Sequence, residues 1–152
     1  AFTYSHEVYT RDVNIGFNNN TKRLEVGPNI YLFNRQHIFS ITGGWEAVDA
    51  NEERNSYDNS YYAVSYFMRF PTKTEAFLKF QQSLRNYKDK PVQWWYTENR
   101  KDTRTAFSAV LSQSFFKNFF ASVAYNYIDN NSNADLYTFD KQTYTFSIGV
   151  YF

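Results

Sequence analysis

Hydrophobic and polar residues alternate with a period of two along most of the chain. The last ten residues, TYTFSIGVYF, are the most regular case. Tyr144, Phe146, Ile148, Val150 and Phe152 share one parity, while Thr143, Thr145, Ser147, Gly149 and Tyr151 share the other. Successive side chains of a strand point to opposite faces, so this segment reads as a strand with one greasy face and one small or polar face. The same alternation recurs in FFASVAYNY, TAFSAVLSQSF, EAFLKFQQSLR and YYAVSYFMRF, and further upstream in HIFSITGGWEA, LEVGPNIYLF and FTYSHEVY. Together these segments predict about eight strands, each near the roughly 9–11 residues of a tilted transmembrane strand. No helical period of comparable length accompanies them. The parity of the first strand shifts between Val8 and Val13, which predicts a bulge near residues 10–12.

The connections alternate in length. NRQ (34–36), PTK (71–73) and KN (117–118) are tight. NNNTK (18–22), DANEERNSYDN (49–59), YKDKPVQWWYTENRKD (87–102) and DNNSNADLYTFDK (129–141) are longer and strongly polar. Short connections suit hairpins between antiparallel neighbours. In an up-and-down barrel this alternation puts the short turns and both termini at one end and every long loop at the other, as in bacterial outer-membrane barrels.

Alternation leaves open which face is inside, and a soluble carrier barrel would turn the greasy face inward. Volume decides the matter. An eight-stranded barrel has room for its own side chains or one small ligand, not for four or five large apolar residues from every strand. The opposite parity carries Glu7, Arg23, Glu25, Glu46, Arg69, Glu75, Lys79, Arg85 and Arg104 among small residues. Arg or Lys facing lipid costs roughly 2–4 kcal/mol at the midplane, so these charges belong to the lumen. The expected fold is therefore an all-β, antiparallel up-and-down transmembrane β-barrel of about eight strands, one domain over 1–152, with short periplasmic turns and long extracellular loops. If it closes alone, the lumen charges pair and fill it; if it is the last part of a larger barrel, they line water.

Composition agrees with this picture. Sixteen Lys and Arg against 15 Asp and Glu give no charge argument for nucleic acid. Aromatic residues make up 22% of the 152 residues, yet mean hydropathy is −0.63, so large apolar groups are interleaved with polar ones. No stretch approaches the roughly 18 apolar residues of a spanning helix. Ala1 opens directly into strand-like sequence, so an exported chain is expected to have lost its signal already. With no cysteine there is neither a disulfide framework nor a thiolate metal site.

The final strand resembles the C-terminal signature of Gram-negative outer-membrane proteins. Tyr144, Phe146, Ile148, Val150 and Phe152 carry the match. In that family the signature is read by the barrel assembly machinery, which the resemblance implies as a partner during biogenesis, with outer-membrane localisation. More faintly, the last third of the chain, from RKDTRTAF onward, resembles the closing strands of larger barrels that sit behind tetratricopeptide repeats in outer-membrane exporters. No such repeats are present in this sequence.

Candidate chemistry is sparse. Small outer-membrane hydrolases of lipid A pair Ser and His with a carboxylate, but the only histidines are His6 and His37, both expected at the periplasmic end, and Ser40 lies on the opposite parity from His37. No enzymatic activity, metal site or cofactor is expected. Asp129, Asn131, Asn133, Asp135 and Asp140 have spacings like those of a calcium loop, but Ala134 stands at the sharp-turn glycine and Asp140 at the bidentate glutamate, so an Asx-rich surface loop is expected. In the third long loop, Trp94, Trp95 and Tyr96 lie among Lys88, Lys90, Arg100 and Lys101. These rings either pack across the barrel mouth or contact lipopolysaccharide phosphates or a partner protein. The function expected is thus a structural or surface-interaction role in the outer membrane, with a transport or export module, formed with further strands or another chain, as the alternative.

Overall fold

In the computed structural model the chain forms one antiparallel sheet. The structure describes residues 2–7, 19–93, 95–115 and 118–150, the first stretch through its backbone alone. Strand segments follow in the order β1 (Phe2–Glu7), β2 (Asn19–Val26), β3 (Asn29–Leu32), β4 (His37–Ala50), β5 (Tyr57–Arg69), β6 (Thr74–Tyr87), β7 (Lys101–Phe115), β8 (Phe119–Ser132) and β9 (Phe139–Val150). β2 and β3 lie along one edge of β4 in a single register, Val26 facing Gly43 and Asn29 facing Ser40. They are one strand interrupted at residues 27–28. Pro28 has no N–H to give the ladder, although its carbonyl still accepts from the Ile41 N–H at 3.2 Å. Gly27 is required by close approach, because a Cβ there would lie 2.0 Å from the Ile41 carbonyl oxygen. Counted this way, eight strands run up and down, each paired with its neighbours in sequence, as the alternation predicts. β1 and β9 form the two margins, and among the described residues no ladder joins them.

The strands are longer than the sequence pattern suggests and the loops correspondingly shorter. β4 to β8 span 13 to 15 residues each. Asn19 to Lys22, expected in a loop, belong to β2 and pair with both β1 and β4. The second long connection shrinks to residues 51–56 around a 3-10 turn at Glu53–Asn55, and the fourth to residues 133–138 around another at Asp135–Tyr137. Asn and Asp are weak strand formers, but neighbours on both sides supply the ladder bonds whatever the side chain. Asp129 and Asp140, read as ends of a polar loop, face each other in the β8 to β9 ladder. The bulge expected near residues 10–12 and Lys117 of the third tight turn lie outside the described residues.

The two described tight turns use left-handed backbone. Phe33, Asn34 and Arg35 have φ of 50°, 53° and 67°, with the Gln36 N–H donating to the Phe33 carbonyl at 3.0 Å. In the other, Lys73 closes on Phe70 at 3.1 Å and has φ of 64°, a turn followed by one left-handed residue that matches the twist of the flanking strands.

The two faces differ in where the charges and the exposed apolar side chains lie. Large apolar side chains on one parity stand open, among them Leu24, Ile41, Trp45, Leu78, Leu84, Phe146 (79% exposed) and Ile148 (85%). On the other parity Glu46, Val48, Asn59, Ala63, Ser83, Asp102 and Asn130 are buried. Among the described residues no second layer covers that face, so the sheet buries it by curling toward it. The polar face is therefore the concave one, and the convex face carries the apolar band.

Candidate functional site

Ladder register sorts the concave face into rows that cross the strands. One row runs Arg23, Glu46, Asn59, Arg85, Asp102 and Ser132; the next toward the short turns runs Glu25, Gly44, Tyr61, Ser83, Arg104 and Asn130. Every lumen charge whose side chain is described lies on this face. Glu7 shares the parity by register, but its side chain is outside the described residues.

Some of these charges are paired. Arg23 donates to Glu46 through Nε at 2.8 Å and again through Nη2. Arg69 and Glu75, facing each other at the short-turn end, pair at 2.7 Å. Tyr61 donates its hydroxyl to Glu25 Oε2 at 2.6 Å by lying across Gly44, the residue between them in the row. A Cβ on Gly44 would come 2.3 Å from the Tyr61 ring, so the glycine is what lets the ring reach the second strand over. Phe120 covers Gly149 in the same way at the β8 to β9 ladder, 2.2 Å from where a Cβ would stand.

The β6 to β7 part of the wall is different. Among the described residues Lys79, Arg85 and Arg104 form no ion pair. Arg85 faces Asp102 in the ladder, but that carboxylate is held by Arg100, whose Nε lies 2.9 Å from Oδ1 and whose Nη2 pairs with Oδ2. Arg85 stacks on Tyr57 with its guanidinium carbon 5.0 Å from the ring centroid, and its buried Nε has no partner. Arg85 and Arg104 share a concavity of about 230 Å³ with Gln81, Ser83 and Ala106, just inside the long-loop end.

The three described long loops are stitched together at this end of the sheet. Arg100 lies between Tyr137 and Tyr87, 3.6 and 4.2 Å from their ring centroids. The Asn133 side chain donates to the Asn99 carbonyl at 3.0 Å and accepts from the Lys101 N–H at 2.7 Å. Asn99 in turn donates to the Lys88 carbonyl at 2.9 Å, and the Lys88 N–H reaches the Ser56 carbonyl at 2.9 Å. Lys88 also pairs with Asp49, and that hydrogen bond holds its ammonium above the usual lysine value. Of the four cations read as a phosphate-facing group, Lys88 and Arg100 are thus engaged within the protein. Lys90 and Lys101 remain exposed. Trp95 is 56% exposed beside Tyr96, their rings 6.0 Å apart, while Trp94 lies outside the described residues.

On the convex face Tyr144, Phe146, Ile148 and Val150 line the exposed side of β9, and Phe152 lies outside the described residues. His37 sits at the short-turn end, its Nδ1 2.6 Å from the Tyr66 hydroxyl and its ring edge-on to Phe33. Sequence reasoning missed Asp102 and Tyr137 and read Asn133 only as part of an Asx-rich loop, because their importance comes from partners far along the chain. Gly44 had a legible signal, since a glycine inside a strand pattern marks close approach.

Searches among curated proteins and among solved structures find no match. A family model described as "Surface lipoprotein assembly modifier" matches residues 2–152, virtually the full chain. A curled antiparallel sheet with an apolar convex face and a charged concave face suits a protein working at the bacterial surface, and the chain belongs to the surface lipoprotein assembly modifier family.

Proposed function

We propose that this sheet is wall of an outer-membrane barrel, its convex face in lipid, its short turns periplasmic and its long loops outside, and that its concave face lines a wet passage used in surface lipoprotein assembly. The observation that carries this reading is the split between faces. The open apolar band would be an aggregation surface in water but is solvated by hydrocarbon. On the concave side, Arg23 keeps 48% and Arg69 60% of its side chain exposed, more than a plugged eight-stranded lumen would leave. The role is handling a protein partner rather than catalysis. Exposed Trp95, Lys90 and Lys101 favour a second, compatible contact, with lipopolysaccharide or the partner outside.

The chain has no cysteine, so an introduced thiol is unique. Ser65→Cys and Thr145→Cys on the concave face should react with a charged, water-soluble thiol reagent in outer-membrane vesicles. Leu78→Cys and Phe146→Cys should resist it and react with a lipid-soluble one. The reverse pattern would show that the faces are assigned wrongly.

A further inference from the structure

We propose that Arg85 and Arg104 form a subsite on the concave wall that takes a carboxylate of an acidic polypeptide segment. This rests on the reading of that face as wet. The two arginines are diagonal neighbours across the β6 to β7 ladder, at backbone positions about 7–8 Å apart, a spacing that brackets one planar oxyanion. Each lacks an ion pair for a visible reason. Asp102, which faces Arg85, is bound by Arg100, and Arg104 has Ser83 and Asn130 as its row neighbours. Tyr57 covers the face of the Arg85 guanidinium and leaves its in-plane N–H donors available, the geometry suited to a carboxylate fork.

The class of ligand follows from what else is unpartnered. Asn59 faces Arg85 across the β5 to β6 ladder, is 4% exposed, and leaves its Oδ1 without a hydrogen bond. A buried acceptor beside a buried donor asks for a ligand that brings both an oxyanion and an N–H. A peptide supplies a carboxylate and a backbone amide together and can run on along the wall; inorganic phosphate, although its P–OH can donate, fills a single position between the two arginines. A lipid headgroup would have to draw its acyl chains over Gln81, Ser83 and Ala106, which offer no apolar bed. The stripe of cations continues down β6 to Lys79, so an extended acidic segment meets positive charge along its path.

The test is fluorescence anisotropy of a labelled poly-glutamate peptide with the full-length protein in nanodiscs. Arg85→Gln with Arg104→Gln should weaken binding roughly tenfold or more, and Arg85→Lys with Arg104→Lys should restore part of it. Arg35→Gln with Lys73→Gln, in the short turns at the other end of the sheet, should leave it unchanged. Poly-glutamine should fail to compete, and inorganic phosphate should compete only weakly. Equal binding by the two Gln pairs, or phosphate competing as well as peptide, would overturn the proposal. Heat-modifiable mobility confirms that each variant is folded. If Thr145→Cys is labelled from water while no peptide binds, only this subsite fails; if Thr145→Cys is not labelled, the wet wall fails with it.

Discussion

Tyr61 illustrates how one missing side chain organises three strands. Its ring crosses Gly44 to reach Glu25, so a methyl group at Gly44 must push the ring aside and stretch a 2.6 Å hydrogen bond to a carboxylate. Gly44→Ala should therefore cost about 1–3 kcal/mol despite better strand propensity. The check is a double-mutant cycle: the cost of Gly44→Ala, read from the thermal midpoint of heat-modifiability, should largely vanish in a Tyr61→Ala background. An unchanged cost in that background would mean that the glycine serves some other contact. Gly27 differs in kind, because its neighbour is the Ile41 carbonyl, and backbone cannot swing away as a ring can.

At the scale of the element, β9 joins two properties that the period of two makes compatible. Its convex parity presents Tyr144, Phe146, Ile148 and Val150, the residues that resemble an outer-membrane assembly signature, while Thr143, Thr145 and Ser147 take the other parity and pair in register with Asn126, Ala124 and Ser122. Side chains on the first face can be recognised without disturbing those on the second or the backbone ladder between them. Changing both Phe146 and Phe152 to Ser should lower the amount of folded, heat-modifiable protein in the outer membrane several-fold. Thr145→Ala with Ser147→Ala, on the other face of the same strand, should leave it near the parent level. Equal yields of the two double variants in membrane fractions would remove the assembly reading of this strand.

Across the whole molecule, the three described long loops are tied into one network at their end of the sheet. Arg100 joins three elements through Tyr87, Asp102 and Tyr137, and Asp102 is only 3% exposed. Arg100→Ala leaves that carboxylate buried without its cation, a change costing roughly 3 kcal/mol, whereas Lys90→Ala should stay within about 0.5 kcal/mol. Limited proteolysis should accordingly open the loops of the Arg100 variant far faster than those of the Lys90 variant. The Lys88 link to Asp49 has a definite pH sign. A lysine raised above 10.5 on folding contributes fully below that pH and loses its contribution as pH climbs through the higher folded value. Loop protection from this link should hold through neutral pH, decline in strong alkali, and weaken with salt because both partners are exposed.

Much of this was determined by the sequence alone. Period-two alternation and the alternation of short with long connections specify eight antiparallel strands in up-and-down order, and excess apolar volume together with the opposing charges specify which face turns outward. These properties are local or additive, so they are legible residue by residue. Tertiary structure decided strand length and charge pairing. Asn19 to Lys22 and Tyr57 to Asn59 read as loop until neighbours on both sides supply their ladder bonds. Near equality of acids and bases suggested a lumen of paired ions, yet Asp102 faces Arg85 and binds Arg100. Which acid meets which base depends on register and on a loop folding back, both set by contacts distant in sequence. That competition occupies Arg100, which the sequence offered as a surface cation, and leaves Arg85 and Arg104 side by side on the wall.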